Sequence, residues 1–179
     1  MSPGTWQTTL QQWASRQSRL PRIAILGIGN TLRSDDAAGP LVARGLVKSR
    51  LARDFDCFLV IDAGQAPENT SGELRHFIPQ VIILIDAAEM NELAGTIRWL
   101  EMEEIDGMSA STHTMPLSML SKYLILELGC EVKILGIQPR STEVGESVSQ
   151  EVLKAVDEIV TGLPISLSEI MTFELQTMN

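Results

Sequence analysis

The sequence is poor in positively charged residues, cysteines and long apolar runs, and each shortage excludes a class of protein. Fourteen Lys and Arg residues stand against 23 Asp and Glu residues in a chain of 179, which gives a net charge of −9 and a pI near 4.7. Affinity for nucleic acids depends on neutralising phosphates with Lys and Arg. We therefore do not expect this protein to bind DNA or RNA.

The cysteine content argues against a cysteine-based redox or nucleophilic site, and the length of the apolar runs argues against a membrane protein. Only Cys57 and Cys130 are present, and neither lies in a C-x-x-C motif or a nucleophile context, so two buried thiols are expected. No apolar run approaches the ~20 residues that cross a bilayer, and the first residues lack the layout of a signal peptide. We expect a soluble, cytoplasmic and monomeric protein that does not interact with membranes.

Apolar residues make up 44% of the chain and follow the alternating pattern of an α/β protein. Short β-type runs are separated by segments of helical periodicity, and several runs are apolar throughout, which is typical of strands covered on both faces. The predicted strands are 22–28, 56–62, 80–87, 96–100 and 131–138. The predicted helices are 36–50, 116–128 and 148–163, with a helical turn between Glu68 and Phe77.

These elements predict one domain, a three-layer α/β/α sandwich with a twisted, mixed and mostly parallel sheet. The strand 96–100 follows its predecessor after only a short polar connection, so these two strands are expected to be antiparallel to each other. The domain comprises residues 1–179, of which 22–163 form the core.

The two ends of the chain are predicted to be additions to this core. Residues 1–20 form a helical extension in which Trp6, Leu10 and Trp13 share one face, and this face packs either on the core or on a partner. Residues 164–179 form a tail, because Gly162 and Pro164 are typical of a helix stop.

The most informative stretch is GIGNTLRSDDAAGP, which runs from Gly27 to Pro40 and joins the first strand to the first helix. Gly27 and Gly29 permit a tight turn, as in a dinucleotide site. However, Leu32 replaces the third glycine of that motif, and two carboxylates stand where a pyrophosphate would bind.

The two carboxylates of this stretch, Asp35 and Asp36, lie at the predicted start of the helix. Asp35 is placed to cap the helix by accepting N–H bonds from its first turn, and Asp36 gains from the helix dipole. One cap is enough for one helix, so a second carboxylate remains to be explained.

Three other residues complete a candidate site. Asp62 and Asp86 each end an apolar strand, and ligands of open α/β sheets gather at the carboxyl ends of parallel strands, so both are expected near Asp36. His113 lies in a loop just before a helix and suits a ligand or proton-transfer role, whereas His76 is expected to be solvated. Asp36, Asp86 and His113 form a two-oxygen, one-nitrogen set that suits a divalent borderline metal with open coordination positions.

With these residues considered, the sequence resembles the hydrogenase maturation endopeptidases, in particular the type that processes the large subunit of the formate-hydrogenlyase hydrogenase. The likeness spans residues 22–163 and rests on five motifs in order. They are G-x-G-N-x-L-x-x-D-D-x-x-G-P at 27–40, V-I-D-A-G-Q-A-P-E-N at 60–69, I-D-A at 85–87, T-H-T-M-P-L at 112–117 and L-G-I-Q-P at 135–139.

The resemblance implies an endopeptidase that removes the C-terminal extension of a nickel-iron hydrogenase large-subunit precursor after nickel insertion. The nickel-coordinating positions of the family fall on Asp36, Asp86 and His113, and the nickel arrives bound to the substrate as the recognition element. Some relatives carry glutamate at the first position, so Asp36 keeps the carboxylate with a shorter reach. Asp62 falls near the cleft and is retained as a candidate catalytic, substrate-contacting or supporting acid.

The chemistry and two competing functions stay open at this level. The metal could polarise the scissile carbonyl and activate water with Asp62 or Asp35 as the base, or it could serve only for recognition while the acids do the chemistry. The competing functions are a nickel carrier that leaves the peptide intact and a nucleotide-dependent enzyme that uses the Gly27–Gly29 turn. No G-x-S-x-G nucleophile motif is present.

Overall fold

The computed structural model describes residues 5–17, 21–49, 55–105 and 115–177, with side chains described up to Leu167. Within these ranges, five strands form one sheet and helices cover both of its faces. The predicted three-layer α/β/α architecture is confirmed. No helix in these ranges has both the length and the apolar character that crossing a membrane requires.

The sheet is mixed and mostly parallel, as predicted. Its strands are β1 (Ile23–Ile28), β2 (Phe58–Gly64), β3 (Val81–Ala87), β4 (Ile97–Leu100) and β5 (Glu131–Ile137), in the spatial order β2-β1-β3-β5-β4. All pairings are parallel except the antiparallel pair of β4 and β5. β1 and β3 are buried at every position. Burial on both faces explains why their sequences are apolar without alternation.

Each face of the sheet carries its own helical layer and its own core. One layer consists of α1 (Trp6–Ala14), α2 (Ala38–Val47) and α6 (Gln150–Thr177). The other consists of α3 (Ser71–Phe77), α4 (Met102–Ile105) and α5 (Leu117–Leu128). Short 3-10 turns, Ser34–Ala37 and Pro67–Thr70, precede α2 and α3. The four-residue α4 was not predicted, because so short a helix shows no periodicity in sequence.

Both cysteines are free thiols. Cys130 is buried and donates to the Leu124 carbonyl oxygen at 3.7 Å, while Cys57 is half-buried. Burial raises the pKa of the Cys130 thiol, so it stays protonated and unreactive at neutral pH.

The predicted helix stop at Gly162 and Pro164 is wrong, because α6 continues through both residues to Thr177. A proline inside a helix costs about 3 kcal/mol. Leu163 and Leu167 on either side of the proline are fully buried, and burying two leucines contributes roughly 3–6 kcal/mol. Core packing therefore outweighs the local preference to end the helix.

The N-terminal helix α1 packs on the core of its own chain. Trp6 is 5% exposed and Leu10 is 1% exposed. Trp6 Nε1 donates to Glu158 Oε1 at 2.7 Å, and Trp99 Nε1 donates to the Trp6 carbonyl oxygen at 2.9 Å. A Cβ atom at Gly162 would lie 3.2 Å from the Trp6 ring, so glycine makes room for the indole. Of the two alternatives for this helix, the structure shows packing on the domain.

The aspartate predicted to cap α2 binds a distant loop instead. The carboxylate of Asp35 is 0% exposed and accepts four hydrogen bonds from the loop that follows β5. The donors are Arg140 N at 2.7 Å, Ser141 N at 3.2 Å, Ser149 N at 2.7 Å and Ser149 Oγ at 3.0 Å. Neither α2 nor the 3-10 turn before it has a side-chain cap. The capping prediction for Asp35 is wrong, because these loop donors hold both carboxylate oxygens.

Three more hydrogen bonds join the same two loops, residues 29–37 after β1 and residues 138–149 after β5, which we call the edge platform. Asp35 N donates to Ser141 O at 3.1 Å, and Gly145 N donates to Leu32 O at 3.0 Å. Ser34 Oγ donates to Ser147 O at 3.0 Å. The loop that carries Asp36 is therefore held in one position relative to the sheet.

Replacing Trp6 by alanine should destabilise the whole protein. Trp6 fills the gap above Gly162 and closes one core, so Trp6→Ala is expected to lower the free energy of unfolding by about 3–5 kcal/mol. Denaturant unfolding measures this change. The matched control is Gln12→Ala on the exposed face of the same helix, which should stay within about 0.5 kcal/mol of the parent. Equal values for the two variants would contradict the packing role of α1.

Replacing Asp35 by alanine should cost much more stability than removing an exposed aspartate. Hydrogen bonds to a charged group contribute roughly 1.5–3 kcal/mol each and are not additive, so we expect Asp35→Ala to lose at least about 3 kcal/mol. Asp62→Ala is the control, because Asp62 forms one partly exposed ion pair with Arg44, which contributes about 0–1 kcal/mol. A similar unfolding free energy for the two variants would show that Asp35 does not hold the edge platform.

Candidate active site at the carboxyl edge of the sheet

Asp36 is fixed above the ends of two central strands. A Cβ atom at Gly39 would collide with the carbonyl oxygens of Ile28 and Ile85, so glycine lets the start of α2 approach both β1 and β3 closely. This approach sets the preceding 3-10 turn, with Asp36, against β3. Asp36 is 1% exposed, and its Oδ2 accepts a hydrogen bond from Asn30 N at 3.1 Å.

Asp86 is the second buried carboxylate at this edge. It is the penultimate residue of β3 and is 2% exposed. Ile85, the residue before it, pairs with Gly27 of β1, so Asp86 lies beside the start of the loop that carries Asp36. Side chains alternate along a strand, and Ile82 and Leu84 belong to the core under α3, α4 and α5. Asp86 therefore faces that layer.

The structure thus places Asp86 near the carboxyl end of β3 and Asp36 in the turn that follows the neighbouring strand β1, and their joint role as metal ligands stays a prediction. Two carboxylates supply oxygen ligands only, and a borderline divalent metal also favours a nitrogen ligand. Among the residues that the structure describes, no group of three or more His, Cys, Asp and Glu side chains is arranged to hold a metal ion.

His113, the predicted nitrogen ligand, lies outside the described residues, so its role stays a prediction. The nearest described residues on its two sides are Ile105 and Met115. Both belong to the core under α3, α4 and α5, which is the layer that Asp86 faces.

Asp62 does not join Asp86 on the same face of the sheet. Asp62 pairs with Gly27, which in turn pairs with Ile85, so these three residues form one row across β2, β1 and β3. In a parallel sheet, one row points to one face, and Ile85 belongs to the core under α1, α2 and α6. The Asp62 side chain is 31% exposed on that face, and its Oδ2 forms an ion pair with Arg44 Nε at 2.7 Å.

Asp62 was expected to project into the same crevice as Asp86, and this expectation is wrong because the two side chains point to opposite faces of the sheet. The physical reason is the alternation of side chains along a strand: Asp62 and Asp86 both end apolar runs, but they stand in adjacent rows and on opposite faces. A role for Asp62 in substrate contact or catalysis stays a prediction. The other histidine, His76, is exposed on α3.

The amide side chains of Asn30 and Gln138, which the sequence analysis did not single out as functional residues, hold the surrounding loops. Gln138 is 3% exposed, and its Oε1 accepts from Met90 N at 2.7 Å and from Glu92 N at 3.2 Å. Asn30 donates through Nδ2 to Gln65 Oε1 at 3.0 Å and accepts from Leu32 N at 2.9 Å. The loops after β1, β2, β3 and β5 are thus connected. An amide within two residues of the end of a buried apolar strand is the sequence signal that could have identified both Asn30 and Gln138.

The carboxylates of Asp36 and Asp86 are both buried at an edge of the sheet whose loops are held together by hydrogen bonds. A dinucleotide is disfavoured, because a pyrophosphate at the start of α2 would meet the buried Asp35 and Asp36.

Comparison with known proteins identifies the family. The profile of the hydrogenase maturation protease family, HycI, matches residues 43–163, a range that includes Asp86 and His113 and begins after Asp36. The hydrogenase 3 maturation protease of Escherichia coli K12 is 34% identical over 136 residues, which cover 75% of this chain and 84% of that protein.

Solved structures agree with this match. The crystal structure of a [NiFe] hydrogenase maturation protease HycI from Thermococcus kodakarensis superposes with a TM-score of 0.73 at 28% identity, over 89% of this chain and 99% of the other. The solution structure of an endopeptidase HycI from Escherichia coli has a TM-score of 0.63 at 34% identity, over 77% and 86% of the two chains. This chain therefore belongs to the hydrogenase maturation protease family.

Proposed function

We propose that this chain is an endopeptidase that removes the C-terminal extension of a [NiFe] hydrogenase large-subunit precursor after nickel has been inserted. The observation that carries the proposal is the pair of buried carboxylates, Asp36 and Asp86, at neighbouring strand ends of a hydrogenase maturation protease. The bound nickel of the precursor acts as the recognition element.

In this proposal Asp36, Asp86 and His113 receive the nickel ion that the substrate delivers. Two carboxylates and one imidazole suit a borderline divalent ion, and the absence of a thiolate from the set implies only moderate affinity for the free ion. Moderate affinity fits an ion that arrives and leaves with the substrate. The layer that Asp86 faces also contains Ile105 and Met115, between which His113 lies in sequence, and this supports its membership of the set.

The surroundings of Asp35 and Asp62 argue against either residue as the general base. Both oxygens of Asp35 accept hydrogen bonds and the residue is fully buried. Asp62 is paired with Arg44 on the opposite face from Asp86. A divalent ion held by Asp36, Asp86 and His113 would supply Lewis-acid chemistry, by polarising the carbonyl group of the cleaved bond or by activating water. The role of the chain's own carboxylates, Asp36 and Asp86, would then be to hold the ion.

We place this activity in the cytoplasm and assign it to the monomer as parts of the same proposal. The two cysteines, Cys57 and Cys130, are both free thiols, which fits a reducing compartment.

Conversion of a nickel-loaded precursor tests the proposal. Asp36→Asn, Asp86→Asn and His113→Gln should each reduce conversion at least about 100-fold, because each removes one of three ligands. The mass of the precursor before and after incubation measures conversion. A precursor prepared without nickel should remain uncut by the parent protein.

Far-UV circular dichroism of each variant is the control for folding. Folded variants that all convert the precursor at the parent rate would contradict the proposed ligand set. A nickel-free precursor that receives nickel from the protein and keeps its C-terminal extension would identify the protein as a nickel carrier and not a protease.

A separate measurement decides the role of Asp62. Because Asp62 is occupied by Arg44 on the face away from Asp86, Asp62→Asn should convert the nickel-loaded precursor within about 3-fold of the parent rate, the change expected for an exposed ion pair. The comparison is Asp86→Asn assayed side by side. A loss as large as that of Asp86→Asn would show that Asp62 takes part in the reaction.

A further inference from the structure

Arg33 lies at the same edge of the sheet as Asp36, and its side chain has no structural role in the contacts described above. It lies in the loop after β1, three residues before Asp36. Its backbone is fixed, since Arg33 N donates to Asn30 O at 3.0 Å and Arg33 O accepts from Asp36 N at 2.9 Å. The guanidinium is therefore anchored to the same turn as the candidate metal ligand.

Within the described part of the chain, one nitrogen of the Arg33 guanidinium has no hydrogen-bond acceptor. Its Nε atom is buried, and no acceptor in the described part of the chain reaches it. Arg98 also has a buried Nε without a hydrogen bond, but its Nη1 donates to Glu104 Oε1 at 2.9 Å. Four other described arginines each have an acceptor within 3.6 Å, namely Arg22, Arg44, Arg75 and Arg140. The chain has 23 acidic residues against 14 Lys and Arg residues, so acceptors are not scarce. A buried charged donor without an acceptor is costly.

A second anomaly adjoins the first. Ser34 has a φ of 43°, in the left-handed region that non-glycine residues rarely adopt. It is 3% exposed and is held there by its Oγ bond to Ser147 O at 3.0 Å. Backbone strain and an unsatisfied donor at consecutive residues, both fixed by the edge platform, are typical of a site that is shaped for a ligand.

Resting on the proposed function, we infer that Arg33 is a substrate-binding residue whose guanidinium donates a hydrogen bond to an oxygen of the precursor segment next to the cleaved bond. The ligand chemistry is a hydrogen-bond acceptor oxygen, supplied either by a carboxylate side chain or by a main-chain carbonyl of that segment. The adjoining Leu32 is 70% exposed, so an extended peptide can approach along this loop. Arg33 satisfies its buried Nε only in the complex, and the precursor segment is thereby positioned beside Asp36.

Steady-state conversion of the nickel-loaded precursor by Arg33→Gln tests this role. KM should rise roughly 10- to 100-fold, the loss expected for one charge-assisted hydrogen bond, with kcat within a few-fold of the parent. The KM of Arg33→Lys should lie between those of the parent and Arg33→Gln, because lysine keeps the charge but lacks the planar guanidinium. The melting temperature of Arg33→Gln should equal or exceed that of the parent, since the variant removes a buried donor that has no acceptor.

Arg140→Gln is the matched control, because it removes the same charge from the same edge of the sheet and its side chain is 68% exposed. Its KM should stay within about 2-fold of the parent, as expected for a rim charge. An equal rise in KM for both variants would show a general charge effect and overturn the role of Arg33. An unchanged KM for Arg33→Gln, or a rise in KM accompanied by a lower melting temperature, would overturn it as well.

Two further arms identify the acceptor and separate the two proposals. The first arm uses precursors whose acidic residues near the cleaved bond are changed to amides. If Arg33 binds a carboxylate, parent and Arg33→Gln should have the same KM for these precursors. If Arg33 binds a main-chain carbonyl, the difference in KM should persist. The Kd of the nickel-loaded precursor, measured calorimetrically, should rise in Arg33→Gln by the same factor as KM. If the parent protein binds the precursor and leaves it uncut, the proposed function is wrong, while the two Kd values still show whether Arg33 binds the precursor.

Discussion

One buried carboxylate determines how the carboxyl edge of the sheet is built. Asp35 accepts four hydrogen bonds from the loop after β5, and each of those donors would otherwise be buried or would have to find water. Because the peptide unit is planar, fixing Asp35 also limits where Asp36 can lie. The position of Asp36 is thus set by a residue whose own carboxylate is turned to the loop after β5. A site held in this way can receive a large protein substrate without being deformed by it.

The residues that could be interpreted from sequence are those whose structure depends on near neighbours. The uninterrupted apolar runs of β1 and β3 reflect burial on both faces, and Asp86 at the end of β3 follows from that pattern. The role of Asp35 could not be found in this way, because capping is a local interaction and its actual partner, Arg140, is 105 residues away. Pro164 illustrates the same limit, since the burial of Leu167 is invisible to a rule about helix ends.

The candidate site was predicted in part for a similar reason. Sequence places Asp62 and Asp86 at strand ends, but it does not say which layer each strand end faces, because a strand buried on both faces shows no polar alternation. Only the pairing of Gly27 with both Asp62 and Ile85 reveals that Asp62 points toward α2. Arg33 carried no signal at all, since an arginine in a loop is ordinary until its missing acceptor is seen.

The contact between Trp6 and Glu158 joins residues 152 positions apart. A nascent chain emerges from the ribosome with its N-terminal end first, so Trp6 is exposed to the cell long before α6 has been synthesised. The face of the sheet under α1, α2 and α6 cannot close until Leu163 and Leu167 have left the exit tunnel. The apolar faces of α1 and of the sheet therefore stay uncovered until synthesis is almost complete, and they are the surfaces that chaperones would meet.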